Sequence, residues 1–152
     1  MSAAMTWEQD LVQSPEEAAI RGGLVFTRAA GGALLLAGLV HGACLLQTAL
    51  FARQSVPVVA VEVAFALLCV AHVWAGSRAY DGSPTFTGVG AAAAVGGAGI
   101  AALWFGWALL GGVVALLPLL ATVMGGLVAL VCAVALPMAL KVTSARQRLL
   151  AD

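Results

Sequence analysis

The sequence predicts an all-α membrane protein, a bundle of four transmembrane helices, and three observations lead there. Positions 82–140, between Asp81 and Lys141, are 59 residues without an Asp, Glu, Lys, Arg or His. A second block, Leu24 to Gly76, carries charge only at Arg28, Arg53 and Glu62. Over its 152 residues the chain is 62% hydrophobic and 9% charged, whereas soluble domains are about a quarter charged. A hydrocarbon core about 30 Å thick takes roughly 20 apolar residues per helix. Each block is therefore long enough for two spans.

The N-terminal segment, 1–21, is read as a polar tail too short to fold alone. Met5, Trp7, Leu11 and Val12 alternate with acids there, the pattern of a short helix lying in the interface with Trp7 as its anchor. A secretory signal does not fit, because Glu8, Asp10, Glu16 and Glu17 stand where a basic n-region is required. Ser14-Pro15-Glu16-Glu17 supplies an N-cap, a proline at the first helical position and acids over the positive end of the dipole. A helix starting there runs into the first span, about 24–52, with Gly22-Gly23 as a candidate bend.

Arg53-Gln54-Ser55 reads as a tight turn into the second span, about 56–77. Arg78-Ala79-Tyr80-Asp81-Gly82 is the polar internal loop, and Ser83-Pro84 opens the third span, about 84–110. Gly111-Gly112 turns the chain into the fourth, about 113–140, where Pro118 and Pro137 are candidate kinks. The transmembrane domain is thus 22–140, followed by a basic tail at 141–152. Three spans in the uncharged block would leave fewer than 20 residues each and no turns, so two tilted spans fit it better. With four spans Arg21, Arg28, Arg78, Lys141, Arg146 and Arg148 share one side and Arg53 alone takes the other. That bias places both termini in the cytoplasm of a bacterial-type inner membrane.

Lipid supplies no hydrophobic drive between helices, so close packing of small residues has to hold them together. Gly90, Ala94, Ala98, Ala102 and Gly106 recur every four residues along the third span, and Gly88, Ala92 and Gly96 form a second ridge beside them. Gly125 belongs to a similar row in the fourth span. Two ridges on one helix suggest that one faces another chain, a second copy or a foreign subunit. The basic rim (Arg28, Arg78, Lys141, Arg146, Arg148) suits anionic lipid headgroups. A net charge of zero gives no reason to expect nucleic acid.

Glu62 is the position that points most directly to chemistry. A carboxyl about two turns into a span is costly, faces the bundle and requires a partner. Counting residues from the Arg53 turn puts His41 within roughly 5 Å of its depth, so a His41–Glu62 hydrogen bond is expected, with Cys44, Gln47 and Thr48 as supporting polar groups. Such a pair serves either as a structural clasp or as a relay in a proton- or cation-coupled transporter. Haem through His41 or His72 is the remaining cofactor reading. Bis-histidine ligation puts the two rings on opposite faces of one iron, yet the same count offsets these histidines by about 10 Å. His72 with Trp74 then reads as an interfacial pair.

Cys44, Cys69 and Cys132 form no CxxC pair and no metal-ligand spacing, and read as small buried residues. No metal site and no catalytic constellation is expected, so an enzyme is not the reading. Arg28 opening a glycine-rich first span and Glu62 early in the second resemble DoxX-type four-helix membrane proteins over the first half of the chain. The tight Arg53 turn departs from the longer connection of that family, and the resemblance assigns no site here. The functional expectation is a small structural or accessory subunit of a larger membrane complex.

Overall fold

A computed structural model describes residues 14–52, 55–111 and 115–151. The expected interfacial helix around Trp7, the Arg53 turn and the turn at Gly112 lie outside these residues. Four α-helices follow one another: α1 (Pro15–Phe51), α2 (Val56–Tyr80), α3 (Pro84–Leu110) and α4 (Leu116–Leu149). All four are long and apolar enough to cross a membrane. They pack in a ring in which α1 touches α2 and α4, α3 touches α2 and α4, and α1 meets α3 across the diagonal.

The start of α1 follows from its sequence. The Ser14 hydroxyl accepts from the Glu17 backbone N–H at 3.2 Å, and the Ser14 N–H donates to the Glu17 carboxylate at 3.3 Å. This capping box satisfies two of the donors that a helix start leaves open. Helix α1 then continues through Gly22-Gly23 without a break. Gly23 is buried against Val142 and the Met138 carbonyl of α4, while an added Cβ on Gly22 would meet nothing within 4 Å.

With 37 residues, α1 is about 55 Å long and exceeds the membrane core. Its first turns pair with the end of α4, where Pro15, Glu16 and Ala19 face Lys141, Ser144 and Arg148 across a shallow groove. The expected tails are accordingly helical over 15–21 and 141–149. Each helix extends because the other covers it.

Many of the fully buried side chains are small, beside Phe65, Leu34, His41 and His72, and many of the exposed ones are large. Ala30, Ala37, Cys44, Ala75, Ala79, Ala94, Ala101, Ala121, Cys132 and Ala139 are fully buried, while Leu39, Leu46, Val70, Leu103 and Leu130 are more than 60% exposed. In water such an apolar exterior would drive aggregation. Against hydrocarbon it costs nothing, and the small interior lets backbones approach.

Two sites set the closeness. A Cβ on Gly31 would stand 2.7 Å from the Gly76 carbonyl oxygen, and one on Gly76 would stand 2.9 Å from that of Gly31. Across the bundle, a Cβ on Gly125 would stand 2.8 Å from the Ala94 carbonyl oxygen. Helix α2 hands over to α3 through Gly82, whose φ of +87° lies in the region that glycine adopts freely.

The expected third-span ridge follows this interface only in part. Gly90, Ala94, Gly97 and Ala101 are buried, Ala98 and Gly106 are half-buried, and Ala102 is exposed. A spacing of four residues advances 40° per step on a 3.6-residue helix, so a strict row of fours winds off the interface. The contact keeps its direction by alternating steps of four and three.

Candidate functional site

Most of the buried polar side chains of the described residues stay within their own helices. Thr27, Thr48 and Thr87 each donate to a carbonyl of the preceding turn, on Leu24, Cys44 and Ser83 respectively. His41 and His72 remain, 1% and 0% exposed.

The two imidazoles stack on one another, with centroids 4.8 Å apart and planes inclined by 18°. The Nδ1 of His41 lies 2.7 Å from the Ala37 carbonyl, and the Nδ1 of His72 lies 2.7 Å from the Leu68 carbonyl. A carbonyl oxygen only accepts, so each Nδ1 carries a proton, and in a neutral ring the Nε2 then presents a lone pair. Neither Nε2 has a hydrogen-bond partner among the described residues. The third wall is Gly97 of α3, where a Cβ would stand 2.6 Å from the Nε2 of His41 and 3.5 Å from the Cε1 of His72. Phe65 closes one side, its ring centroid 6.0 Å from that of His41.

This arrangement corrects the expected His41–Glu62 bond. His41 spends its only N–H on its own helix, its Nε2 accepts from no residue, and its ring partner is His72. Glu62 is half-buried, one turn before Phe65. The reading of His72 as an interfacial residue paired with Trp74 is overturned too. His72 is fully buried, whereas Trp74 is 53% exposed and packs edge-on against Phe86, 4.8 Å between centroids.

The depth count failed for a geometric reason. Backbone register is close to what it gives, since a Cβ on Gly38 would lie 3.3 Å from the Cys69 carbonyl and 3.4 Å from the His72 Cβ. Side chains, however, lean toward the N-terminus of their own helix. In an antiparallel pair that tilt brings His41 and His72 toward each other, across the offset of about 10 Å that the count places between their backbones. A second signal was present in the spacing: His41 continues the row Thr27, Leu34, Ala37, Gly38, and His72 lies seven residues from Phe65 and three from Ala75, all buried.

The other candidate residues sit elsewhere. Cys44 fills an apolar layer with Phe65, Ala101 and Ala121. Gln47 and Thr48 line a cavity of about 320 Å³ at the end of the bundle distant from the described termini, together with Phe51, Val58, Trp104 and Trp107. The basic residues Arg28, Arg78, Lys141, Arg146 and Arg148 are all exposed. Arg28 lies over the Tyr80 ring at 5.5 Å, and Arg146 donates to the Asp81 carbonyl at 3.3 Å.

A haem bridging the two histidines does not fit this geometry. The porphyrin needs a slab of space with the iron between two opposed Nε2 atoms. Here the rings lie directly against each other, and α1 and α2 are in backbone contact at Gly31 and Gly76. No protein family, curated protein or solved structure matches the chain. The DoxX-type resemblance therefore rests on Arg28 and Glu62 alone.

Proposed function

We propose that this protein is a small accessory subunit held within a larger assembly in a bacterial-type inner membrane, with both termini cytoplasmic. The observation that carries the reading is a lane of small residues on the outward face of α3. At Gly88, Gly96, Gly99 and Gly106 an added Cβ would meet nothing within 4 Å. Ala92 lies between them and is exposed. Steps of four, four, three and seven residues keep these positions on one side of the helix, where the exposed Val95 and Leu103 stand among them.

Glycine in a helix interior costs about 1 kcal/mol relative to alanine, and toward lipid it gains no contact in return. Toward another helix, it lets two backbones meet closely enough to pack. A neighbouring membrane subunit is the occupant that makes use of this lane. Glycine and alanine then serve two interfaces on α3, one inside the bundle and one outside it. The six basic residues that the four-span topology places on one side support the orientation.

The alternative of a transporter working through Glu62 and His41 draws less support. Between Thr48 and the histidine pair, and again between the pair and Thr27 and Thr87, the core is apolar: Cys44, Phe65 and Ala101 on one side, Ala30, Leu34, Ala75 and Ala94 on the other. Transport needs a polar route across such layers.

Affinity purification of the tagged chain in a gentle detergent, with co-purifying proteins identified by mass spectrometry, tests the reading. Foreign membrane proteins recovered in fixed stoichiometry, and lost in Gly96→Leu and Gly99→Leu, are the expected result. Recovery of the chain alone or only with itself contradicts it.

A further inference from the structure

We propose that the outer seam between α1 and α4 binds one anionic phospholipid of the phosphatidylglycerol class, its headgroup against Lys141 and Arg148 and an acyl chain along the seam beyond them. The site uses α1 and α4 alone and does not depend on what docks on α3.

Two depressions mark this seam. One lies at the end of the bundle near the described termini, between Glu16 and Ala19 of α1 and Lys141, Ser144 and Arg148 of α4. The other lies deeper in the apolar block, between Phe26 and Ala29 of α1 and Leu130 and Val134 of α4. Seven residues, two turns, separate Ala19 from Phe26 and Val134 from Lys141, so both depressions fall on the same side of each helix. The contact of Gly23 with Met138 and Val142 fixes the register of the antiparallel pair between them. On the outer side of that contact stand Gly22, where an added Cβ would meet nothing within 4 Å, and the exposed Pro137. Neither carries a long side chain to separate the two depressions.

Polarity along the seam follows that of a phospholipid. The apolar depression is lined by Phe26, Ala29, Leu130, Val131 and Val134, surface that an acyl chain covers. The polar one holds two cations, Lys141 and Arg148, and one carboxylate, Glu16, a surplus of one positive charge. Lys141 is the first charged residue after the apolar block, which places it at headgroup level. Arg148 stands about 10 Å further out, but a helical side chain leans toward the N-terminus of its helix, here back toward Lys141. Both long stems can follow the apolar surface and bring their charges to one phosphate. A phosphodiester carries the single negative charge that the surplus requires, and anionic lipid is drawn to such residues.

The remaining polar groups select the headgroup. The Ser144 hydroxyl donates to the Leu140 carbonyl at 3.0 Å, so its oxygen is left to accept, as is the Glu16 carboxylate. Glycerol brings hydroxyl donors to both. Choline brings none, and ethanolamine adds a positive charge that leaves the surplus uncompensated.

The test is native mass spectrometry of the full-length protein in a mild detergent, with phosphatidylglycerol, phosphatidylethanolamine or phosphatidylcholine of identical acyl chains added. One phosphatidylglycerol per chain is expected, held more tightly than either other lipid. Lys141→Gln with Arg148→Gln should weaken it by more than about tenfold, the order set by two cations at an anionic headgroup. Arg78→Gln with Arg146→Gln removes the same charge outside the seam and should leave binding unchanged. Gly22→Trp should weaken binding with every charge retained, by filling the stretch between the depressions. All five positions are exposed, and the helical circular dichroism spectrum checks that each variant folds. A phosphatidylglycerol with a photoactivatable acyl chain, crosslinked to the wild-type protein in nanodiscs, gives a readout that needs no variant: adducts at 22–29 and 130–138 support the site. Adducts spread over all four helices, equal binding of the zwitterionic lipids, equal loss from the Arg78 and Arg146 pair, or no retained lipid overturns it.

Discussion

At the scale of single residues, the energetics converge on the contact between Gly97 and the His41 ring. A Cβ placed 2.6 Å from the Nε2 is closer than packed atoms stand, and neither wall yields easily, one being a ring tied by Nδ1 and the other a helix backbone. Gly97→Ala should therefore destabilise the bundle by about 1–3 kcal/mol, the usual cost of overpacking. Adding His41→Ala should relieve most of that, with a coupling of about 1–3 kcal/mol in a double-mutant cycle. Unfolding of the purified protein in mixed micelles measures both. Strictly additive effects would show that the two residues do not meet. The sequence marked His41 and Glu62 as unusual, because polar groups in apolar spans are visible by composition alone. It could not pair them by counting, since counting tracks backbones, and the partner was decided by the opposed tilt of two side chains.

At the scale of elements, a few glycines stand where two helices approach closely. The interface of α1 with α2 depends on Gly31 and Gly76, and that of α3 with α4 on Gly125. Gly31→Val or Gly76→Val should separate α1 from α2 and cost several kcal/mol, because the new side chain meets backbone that cannot move aside. Gly96→Val, at a position where nothing lies within 4 Å, should leave the unfolding of the isolated chain unchanged. The contrast between the two is the informative result, and equal losses would contradict the division into inner and outer faces. Ser14→Ala should cost about 1 kcal/mol through loss of the N-cap, read as fraying of the first turns of α1 by amide exchange. These elements were legible in advance at their capped and proline-marked starts. The far end of α4 was less so: it runs past the apolar block to Leu149, alongside the first turns of α1, a tertiary contact without a local signature.

At the scale of the whole molecule, four apolar helices with small residues inside and large ones outside make a body suited to lipid and unsuited to water. One closed polar pair lies at its centre, and one side of α3 presents Gly96 and Gly99 with nothing packed against them. The proposed cytoplasmic placement of both ends rests on the one-sided basic residues, and reporter domains fused separately to each terminus should both be active only on the cytoplasmic side. A split result would refute the topology and with it the count of four spans. The central claim concerns the bare face of α3. A photo-crosslinking amino acid placed at Gly99 and activated in intact membranes tests it most directly. The account predicts a discrete adduct with a different membrane protein, and no such adduct from a probe at Leu39 on the exposed face of α1. Adducts to lipid alone, or to a second copy of this chain, would contradict it.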